Sequence, residues 1–431
     1  EENEFLNLVQ KYKEGPSLIF DWESVKGPDP AKLPRYENLP TPSEEKKKEA
    51  LRKLVVCKLN GGLGTSMGCS GPKSAITVRE GKSFLDLIVK QITSLNHQWN
   101  ISVPLVMMNS FSTFEETEKI IKGFRDDLNI SNFVQNKFPR LEIETLLPLE
   151  EEKYGLGAWY PPGHGDVYNC IKNQGLIEEW LNQGKENLFI SNSDNLGATV
   201  DSKIASFLLE DNGPSFIMEV SDKTKADVKG GTLYQIGDKL GLLEAAQVPK
   251  EGMDEFCGVD KFKTFNTNSI WINLIRLNER LKKSPLDFPV IANPKNVQGT
   301  QALQLETAMG FAVGLFEDAM GMIVPRSRFL PVKKTSDLFV VQSNIFELDE
   351  GRLMRSSSRN INELPLVSFG EELSDYSTYR NSFAEIPDIS ELESLKLYGN
   401  FQFEENIVLK GKIELKSIES VKKIPKGTVL E

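Results

Sequence analysis

Residues 54–74 have the sequence LVVCKLNGGLGTSMGCSGPKS, in which a short apolar run passes directly into a loop with five glycines. The run at residues 54–59 is rich in Val and Leu and stops at Asn60, which is typical of a buried strand that ends in a loop. Glycines in such a loop let the backbone approach a ligand closely, and free N–H groups can then point at phosphate oxygens. Lys73 adds a mobile positive charge. The stretch therefore predicts a phosphate-binding loop at the end of a strand.

The spacing within this loop differs from that of two common nucleotide-binding motifs. Lys73 comes nine residues after Gly64 and directly follows Gly71 and Pro72, so the loop does not match G-x-x-x-x-G-K-[ST]. It does not match G-x-G-x-x-G either, which argues against a dinucleotide-dependent dehydrogenase. A glycine-rich turn by itself is weak evidence for a function, whereas a turn that ends in Pro-Lys is more specific.

Helices and strands alternate after the loop. Apolar residues at steps of three and four predict an amphipathic helix with Phe84, Leu87, Ile88, Ile92 and Leu95 on one face. Residues 103–108 form a second apolar run that predicts a strand. Thr113 and Glu116 fit a capping box for the helix that follows.

The alternation continues with strands predicted at residues 188–191 and 216–220 and helices at 202–209 and 303–316. This order predicts an α/β fold with a mixed, mainly parallel sheet, covered by helices on both faces, with ligands beyond the carboxyl ends of the strands. Residues 1–50 contain six prolines and a charged run at 44–49, and we expect an extended surface arm that leads into a helix.

The last part of the chain has a different period. Apolar pairs recur every six residues, at Leu395/Leu397, Phe401/Phe403, Ile407/Leu409 and Ile413/Leu415. A period of six matches neither a helix nor a simple strand and is typical of a β-helix, in which short strands stack their inward side chains. We predict a small β-helix domain from about residue 365 onward. A single amphipathic sheet is the alternative interpretation.

Composition narrows the function class. The chain has 431 residues, 51 Lys and Arg against 62 Asp and Glu, and a formal net charge of −11, so general binding to nucleic acid is not expected. The chain has four dispersed cysteines, which predict reduced thiols rather than a disulfide framework, and only two histidines, which argue against a paired-histidine zinc site. It shows no basic leader with an apolar core and no long apolar run, so we expect a cytoplasmic protein without a membrane segment.

With these motifs in place, the chain resembles the eukaryotic UDP-glucose pyrophosphorylases, also called UTP–glucose-1-phosphate uridylyltransferases. The loop at residues 58–74 is similar to the nucleotide-binding loop of that family. Five further segments follow in the family's order, namely WYPPGHGD (159–166), SNSDNLGAT (191–199), ADVKGG (226–231), FNTN (265–268) and PRSRFLPVK (325–333). Ser193 and Ser269 depart from the family pattern without removing a residue type that the chemistry needs.

The resemblance implies a domain plan. Residues 1–50 would form an N-terminal arm and helix, residues 51–340 a Rossmann-like nucleotidyltransferase domain, and residues 341–431 a C-terminal left-handed parallel β-helix. The six-residue period agrees independently with the last of these. Exposed edges of such a β-helix can associate, so a homo-oligomer through this domain is a candidate assembly.

The resemblance also implies the site residues. The residues expected to bind the nucleotide are Leu59, Asn60, Gly61, Gly62, Lys73, Gln135, Gly163, Asn192 and Asp194. The amide of Gln135 would suit the acceptor, donor, acceptor edge of uracil. The residues expected to bind the sugar phosphate are His164, Asn192, Asn266, Thr267, Asn268 and Lys333.

The implied reaction is reversible uridylyl transfer from UTP to glucose 1-phosphate, which gives UDP-glucose and pyrophosphate. Lys73, Lys333 and Asp194 would be the catalytic residues, with Asp194 as the protein ligand of Mg²⁺, the expected cofactor. The sugar phosphate would attack the α-phosphorus in line, without a covalent intermediate. Because a phosphate oxygen is already a nucleophile, His164 is not expected to act as a general base.

Three alternatives remain at this point. UDP-N-acetylhexosamine and broad-specificity UDP-sugar pyrophosphorylases carry a bulkier, charged pair where this chain has Thr65-Ser66-Met67. A non-catalytic nucleotide-sugar sensor could discard one of the charged residues, yet Lys73, Asp194 and Lys333 are all present.

Overall fold

The computed structural model describes residues 1–15, 22–224, 230–361 and 363–431. Residues 226–229, which belong to the predicted segment 226–231, lie outside these ranges. None of the helices in the described ranges is long and apolar enough to cross a membrane.

The chain forms two compact units, and neither is continuous in sequence. The first unit comprises Glu1–Gly61, Asn96–Asn192 and Val200–Arg326, and the second comprises Gly62–Leu95, Ser193–Thr199 and Ser327–Glu431. The division of the sequence at residues 50 and 340 stays a prediction.

The α-helices of the described residues are α1 (Glu2–Glu14), α2 (Glu44–Arg52), α3 (Phe84–Trp99), α4 (Phe114–Ile121), α5 (Glu151–Tyr154), α6 (Val167–Asn173), α7 (Leu176–Asn182), α8 (Ser202–Leu208), α9 (Met253–Cys257), α10 (Leu274–Lys283), α11 (Thr335–Gln342) and α12 (Tyr376–Ser382).

The strands are β1 (Leu54–Asn60), β2 (Thr77–Arg79), β3 (Lys82–Ser83), β4 (Leu105–Asn109), β5 (Ile130–Val134), β6 (Phe138–Pro139), β7 (Leu141–Glu142), β8 (Trp159–Tyr160), β9 (Asn187–Asn192), β10 (Phe216–Asp222), β11 (Thr232–Ile236), β12 (Lys239–Leu243), β13 (Thr264–Asn273), β14 (Ile291–Val297), β15 (Thr300–Glu306), β16 (Met320–Ile323), β17 (Phe346–Asp349), β18 (Arg352–Arg355), β19 (Leu366–Phe369), β20 (Leu392–Phe403), β21 (Val408–Leu409), β22 (Gly411–Ile424) and β23 (Val429–Leu430).

A seven-stranded sheet forms the centre of the first unit, in the order β16-β10-β13-β9-β1-β4-β5. Strand β13 runs antiparallel to both of its neighbours, and the other pairings are parallel. Every residue of β1 is buried, Lys58 and Asn60 included, as expected for a central strand of a parallel sheet. The predicted mixed, mainly parallel sheet is therefore confirmed, and β1, β4, β9, β10, α3 and α8 lie where the sequence predicts them.

The core of the first unit packs helices against this sheet. One buried cluster joins apolar side chains of the strands to those of α6, α7 and α10, among them Val55, Leu59, Ile171, Ile177 and Leu277. The helices thereby shield the strand ends near Leu59 from solvent.

The predicted helix at residues 303–316 is wrong. Residues 300–306 form β15, which pairs with β14 and β7, and a 3₁₀ segment, Met309–Leu315, follows. Leu303 and Leu305 alternate on one face of this strand and pack into a cluster with Tyr160. The helical spacing of Leu305, Met309 and Ala312 was therefore coincidental, because strand pairing satisfies the backbone instead.

The capping box predicted at the beginning of α4 does not form. Helix α4 begins after Thr113 as predicted, but the Thr113 hydroxyl accepts a hydrogen bond from the Ser110 N–H instead.

The predicted extended arm is wrong over residues 2–14, which form α1. Its residues Leu8 and Phe5 pack against Phe138, so this helix is part of the first unit rather than a surface appendage.

The C-terminal strands of the second unit pair in parallel. Strand β20 lies between β19 and β22, and β21 pairs with β23. Leu395 is opposite Ile413 and Leu397 is opposite Leu415, so the chain returns to the same register after 18 residues. The first three of the predicted apolar pairs are fully buried.

Candidate active site

The glycine-rich loop of the second unit closes on itself through backbone hydrogen bonds. The Gly64 N–H donates to the Gly71 carbonyl at 3.1 Å, and the Cys69 N–H donates to the Gly64 carbonyl at 3.0 Å. The Lys73 N–H donates to the Gly62 carbonyl at 3.2 Å. These bonds bring the two ends of the loop together, so that Lys73 emerges beside Gly62.

Two glycines of this loop meet different surroundings. Gly68 has a φ of +71°, and an added Cβ would lie 1.9 Å from Oδ2 of Asp375, so a side chain is excluded on both counts. At Gly62 nothing lies within 4 Å of an added Cβ. The backbone at Gly62 is therefore open to a ligand.

Lys73, Asp194 and Lys333 meet in the second unit. Nζ of Lys73 lies 2.9 Å from Oδ2 of Asp194, and Nζ of Lys333 lies 2.8 Å from the same oxygen. The side chains of Lys73 and Asp194 are 12% and 11% exposed, whereas that of Lys333 is 56% exposed. The sequence places these residues 121 and 139 positions apart, and the fold brings all three together. Two ammonium groups around one carboxylate leave a local excess of positive charge.

The electrostatics of this cluster keep Asp194 ionised. Burial by itself would raise the pKa of Asp194, but the charges and hydrogen bonds of Lys333 and Lys73 outweigh burial and lower it. Oδ1 of Asp194 is buried and has no hydrogen-bond partner. That oxygen is suited to one ligand position on a cation.

Residues that the sequence analysis missed hold this cluster in place. Oδ1 of Asn195 accepts hydrogen bonds from the Gly197 and Leu330 N–H groups, which ties the Asp194 segment to the segment before Lys333. Oδ2 of Asp337 accepts from the Lys333 N–H at 2.7 Å. Asn195 reaches Leu330 from 135 residues away, which the sequence does not show, whereas Asp337 in α11 lies only four residues after its partner Lys333.

Gln135 lies over Gly61 in the first unit. An added Cβ at Gly61 would come 2.1 Å from Nε2 of Gln135, so only glycine allows this contact. Gln135 is 6% exposed, and its Oε1 is buried without a hydrogen-bond partner. An unpaired amide oxygen in such a place is costly unless a ligand donates to it.

The neighbouring residues of β1 contribute differently. The Asn60 side chain donates to Asn109 at 2.8 Å and to Thr117 at 2.9 Å, so it is engaged within the unit. Leu59 is 8% exposed and belongs to the core cluster. Any contact of these two residues with a nucleotide would therefore go through the backbone.

Gly163 and His164 form a close turn against β15 and the segment that follows. Gly163 has a φ of +85°, and an added Cβ would lie 2.6 Å from the Thr307 carbonyl oxygen. Nδ1 of His164 accepts a hydrogen bond from the Met309 N–H at 2.9 Å. When the imidazole is neutral, this bond places its proton on Nε2, which makes that atom a donor.

Three of the predicted asparagines are neighbours in the first unit. Nδ2 of Asn268 donates to Oδ1 of Asn192 at 3.0 Å, and Oδ1 of Asn266 accepts from the Asn268 N–H at 2.9 Å. Strand β13 is bulged here, since its register against β10 shifts between Glu219 and Val220, and Asn268 has a φ of +57°. A bulge re-aims side chains at the edge of a site.

Thr267 points elsewhere. Its hydroxyl donates to the Glu219 carbonyl at 2.8 Å, and the residue is 1% exposed. The side chain is thus engaged within the sheet, and its role toward the sugar stays a prediction.

Glu244 is a further carboxyl that the sequence analysis missed. An added Cβ at Gly231 would lie 2.6 Å from Oε1 of Glu244. Burial raises the pKa of Glu244 to about 7.

Within the described ranges, no group of three or more His, Cys, Asp or Glu residues is arranged to hold a metal ion.

Comparison with known proteins places the chain in a family. The family model described as UTP–glucose-1-phosphate uridylyltransferase matches residues 2–410. UTP–glucose-1-phosphate uridylyltransferase 2 of Dictyostelium discoideum is 46% identical over 441 residues, which cover 100% of this chain and 88% of the relative. The enzyme of that name from Encephalitozoon cuniculi is 47% identical over 431 residues, covering 100% of this chain and 86% of the relative.

Solved structures agree with the sequence relatives. A UDP-glucose phosphorylase from Trypanosoma brucei has a TM-score of 0.88 and 34% identity, covering 99% of this chain and 94% of the other. A mutant UDP-glucose pyrophosphorylase from Leishmania major, solved with UDP-glucose, has a TM-score of 0.89 and 31% identity, covering 99% and 93%. The chain therefore belongs to the UTP–glucose-1-phosphate uridylyltransferase family of nucleotidyltransferases.

Proposed function

We propose that this protein catalyses reversible uridylyl transfer from UTP to glucose 1-phosphate, giving UDP-glucose and pyrophosphate. Membership of the family supports this reaction class. The observation that carries the proposal is that the ammonium groups of Lys73 and Lys333 both contact Oδ2 of Asp194. Both substrates are anions and repel each other, so the site must supply positive charge where they meet.

The lysines supply that charge. Lys73 and Lys333 each donate one N–H to Asp194, and their other N–H groups can bind phosphate oxygens. Either lysine can also exchange Asp194 for a phosphate oxygen. Both then stabilise negative charge as the sugar phosphate attacks the α-phosphorus in line. A phosphate oxygen needs no base, so the step requires neither a general base nor a covalent intermediate. Each preorganised donor of this kind lowers the barrier by about 2.7–4 kcal/mol.

Uracil would be recognised at Gln135 and β1. The buried, unpartnered Oε1 of Gln135 suits the N3–H of uracil, and its Nε2 suits a carbonyl of the base. The backbone groups of Leu59, Asn60 and Gly61 would complete the contact within the first unit, because Gly61 admits the amide, and the contact of Gly62 with the nucleotide stays a prediction.

The sugar phosphate would be bound by His164 and the asparagines. Nε2–H of His164 can donate to a phosphate or hydroxyl oxygen, since Nδ1 is already an acceptor. Asn192, Asn266 and Asn268 offer amide donors and acceptors of the kind that sugar hydroxyls require.

Mg²⁺ fits the donors at Asp194. Magnesium takes a few carboxylate oxygens together with substrate phosphates and water, so the single buried Oδ1 of Asp194 suffices as the protein ligand. When bound, the ion would add positive charge at the phosphate oxygens.

We also propose that residues 341–431 contain a left-handed parallel β-helix. The parallel pairings and the return after 18 residues, which equals three six-residue steps, support this domain over a single amphipathic sheet. A homo-oligomer through this domain and a cytoplasmic location complete the proposal.

A coupled assay of pyrophosphate release tests the function. We expect release from UTP only when glucose 1-phosphate is present, and loss of release when Mg²⁺ is chelated. Preference for N-acetylglucosamine 1-phosphate or for galactose 1-phosphate would favour the alternative pyrophosphorylases. Binding of UTP without any release would favour a sensor.

A further inference from the structure

Asp166 ends the 3₁₀ turn that carries His164, and it is 4% exposed. Oδ2 of its carboxylate accepts a hydrogen bond from the Asn136 N–H at 2.8 Å and one from the Cys170 thiol at 3.0 Å. Oδ1 accepts from Nδ2 of Asn136 at 2.8 Å. A carboxyl group this deeply buried is costly without donors, and one residue, Asn136, supplies two of the three.

Asn136 directly follows Gln135, the residue proposed to bind uracil. The Gln135 N–H donates to the Asn109 carbonyl at 2.8 Å, which fastens one side of this residue. The two bonds from Asn136 to Asp166 fasten the other side. The Gln135 amide therefore lies over Gly61 on a segment that is held at both ends.

The other end of the same contact is the His164 turn. The Asp166 N–H donates to the Gly163 carbonyl at 3.3 Å, so the turn closes around His164. Asp166 is thus bonded through its backbone to the turn of His164 and through its carboxylate to the neighbour of Gln135. No other role has been assigned to it.

We infer that Asp166 is a positioning residue for substrate recognition. Its hydrogen bonds with Asn136 place Gln135 against uracil, and its backbone bond to Gly163 places His164 against the sugar phosphate. This inference rests on the proposed function. Base contacts are the same in the bound substrate and in the transition state, so a misplaced Gln135 should raise KM for UTP more than it lowers kcat.

Binding of UTP and CTP to the Asp166→Asn variant tests the inference. Cytosine has no N3–H to donate to Oε1 of Gln135, so the native protein should prefer UTP. Loss of one charge-assisted hydrogen bond should weaken UTP binding about tenfold while CTP binding changes little, so the preference for UTP falls. Calorimetry with each nucleotide, together with KM and kcat, measures this.

An exchange variant provides the rescue. In Asn136→Asp/Asp166→Asn the amide and the carboxylate trade places, so both the side-chain bond and the bond to the N–H of residue 136 can form again. Oε2 of Glu4 accepts from Nδ2 of Asn136 at 3.0 Å, so the exchange is made with Glu4→Gln to avoid two facing carboxylates. The triple variant should regain most of the preference for UTP, while Glu4→Gln alone should keep it.

Asp318→Asn is the matched control. Oδ2 of Asp318 also accepts from an N–H and a side chain of one residue, Ser215, at 2.9 and 2.8 Å, but Asp318 is exposed and has no part in the site. This variant should keep the preference for UTP. A folded Asp166→Asn protein with native preference and KM would overturn the inference, and if that variant does not fold, Asn136→Ala decides by the same measurements. A native protein that binds no UTP would instead refute the proposed function.

Discussion

At the scale of single residues, Lys73 and Lys333 share one carboxylate oxygen but differ in exposure. Lys73 is the more buried of the two, at 12% against 56%, and it also closes the glycine-rich loop through its backbone. The buried ammonium works in a region of lower dielectric, where its charge is screened less.

Replacement of Lys73 by Ala should therefore lower kcat roughly 100 to 1,000-fold, the effect of losing one preorganised donor. Steady-state kinetics of pyrophosphate release measure this. Lys334→Ala removes an exposed positive charge from the residue next to Lys333 and should leave turnover close to native. Near-native turnover of Lys73→Ala would remove the central role given to this lysine.

Glu244 makes stability depend on pH. Its folded pKa is raised from 4.5 to about 7, so between these values the folded protein holds a proton that the unfolded chain has lost. Stability should fall as the pH rises through this window, by about 1–3 kcal/mol, and level off above it.

Thermal unfolding between pH 4.5 and 8 tests this. In Glu244→Gln this part of the pH dependence should disappear, and the variant should gain most over the native protein at pH 8. Glu251→Gln, at an exposed carboxyl nearby in sequence, should follow the native curve. Parallel curves for Glu244→Gln and the native protein would contradict the assignment.

At the level of helices and strands, an element could be predicted from the sequence where its local apolar pattern and its long-range strand pairing favour the same structure. Strand β1 and its loop could be predicted because a short run rich in Val and Leu that passes into five glycines has few alternative structures. Residues 303–316 could not, because the spacing of Leu305 and Met309 imitates a helix, and only pairing with β14 and β7 selects the strand. In α1 the residues Phe5, Leu8 and Tyr12 have helical spacing, but the arm was predicted from the prolines of residues 1–50, all of which come after Glu14.

The glycine-rich loop itself should respond to one substitution in particular. Gly68→Ala forces a side chain into a positive φ and against Asp375, so the melting temperature should fall, with about 1–2 kcal/mol lost to the backbone conformation alone. Gly62→Ala has open space and should unfold like the native protein. Adding Asp375→Ser to Gly68→Ala should recover part of the loss, because only the steric component is relieved. Equal melting temperatures for the two glycine variants would be the contrary result.

At the scale of the whole molecule, the predicted site residues divide between the two units. The charged cluster of Lys73, Asp194 and Lys333 lies in the second unit, and Gln135 and His164 lie in the first. Sequence motifs could name these residues by resemblance. Asn195 and Asp166 lie inside two of those motifs, but the motifs gave them no role, because their partners Leu330 and Asn136 are far away in the chain.

Self-association is the property of the whole molecule that the C-terminal strands predict. Several apolar side chains of these strands are exposed, among them Leu366 at 66% and Val429 at 53%, and strand edges with apolar side chains tend to pair. We expect light scattering to give a mass above 48.4 kDa at micromolar concentration. The double variant Leu366→Glu/Val429→Glu should shift the mass toward that of the monomer and leave turnover per chain unchanged, because neither residue belongs to the proposed site. A native protein that stays monomeric at every concentration would exclude assembly through these strands.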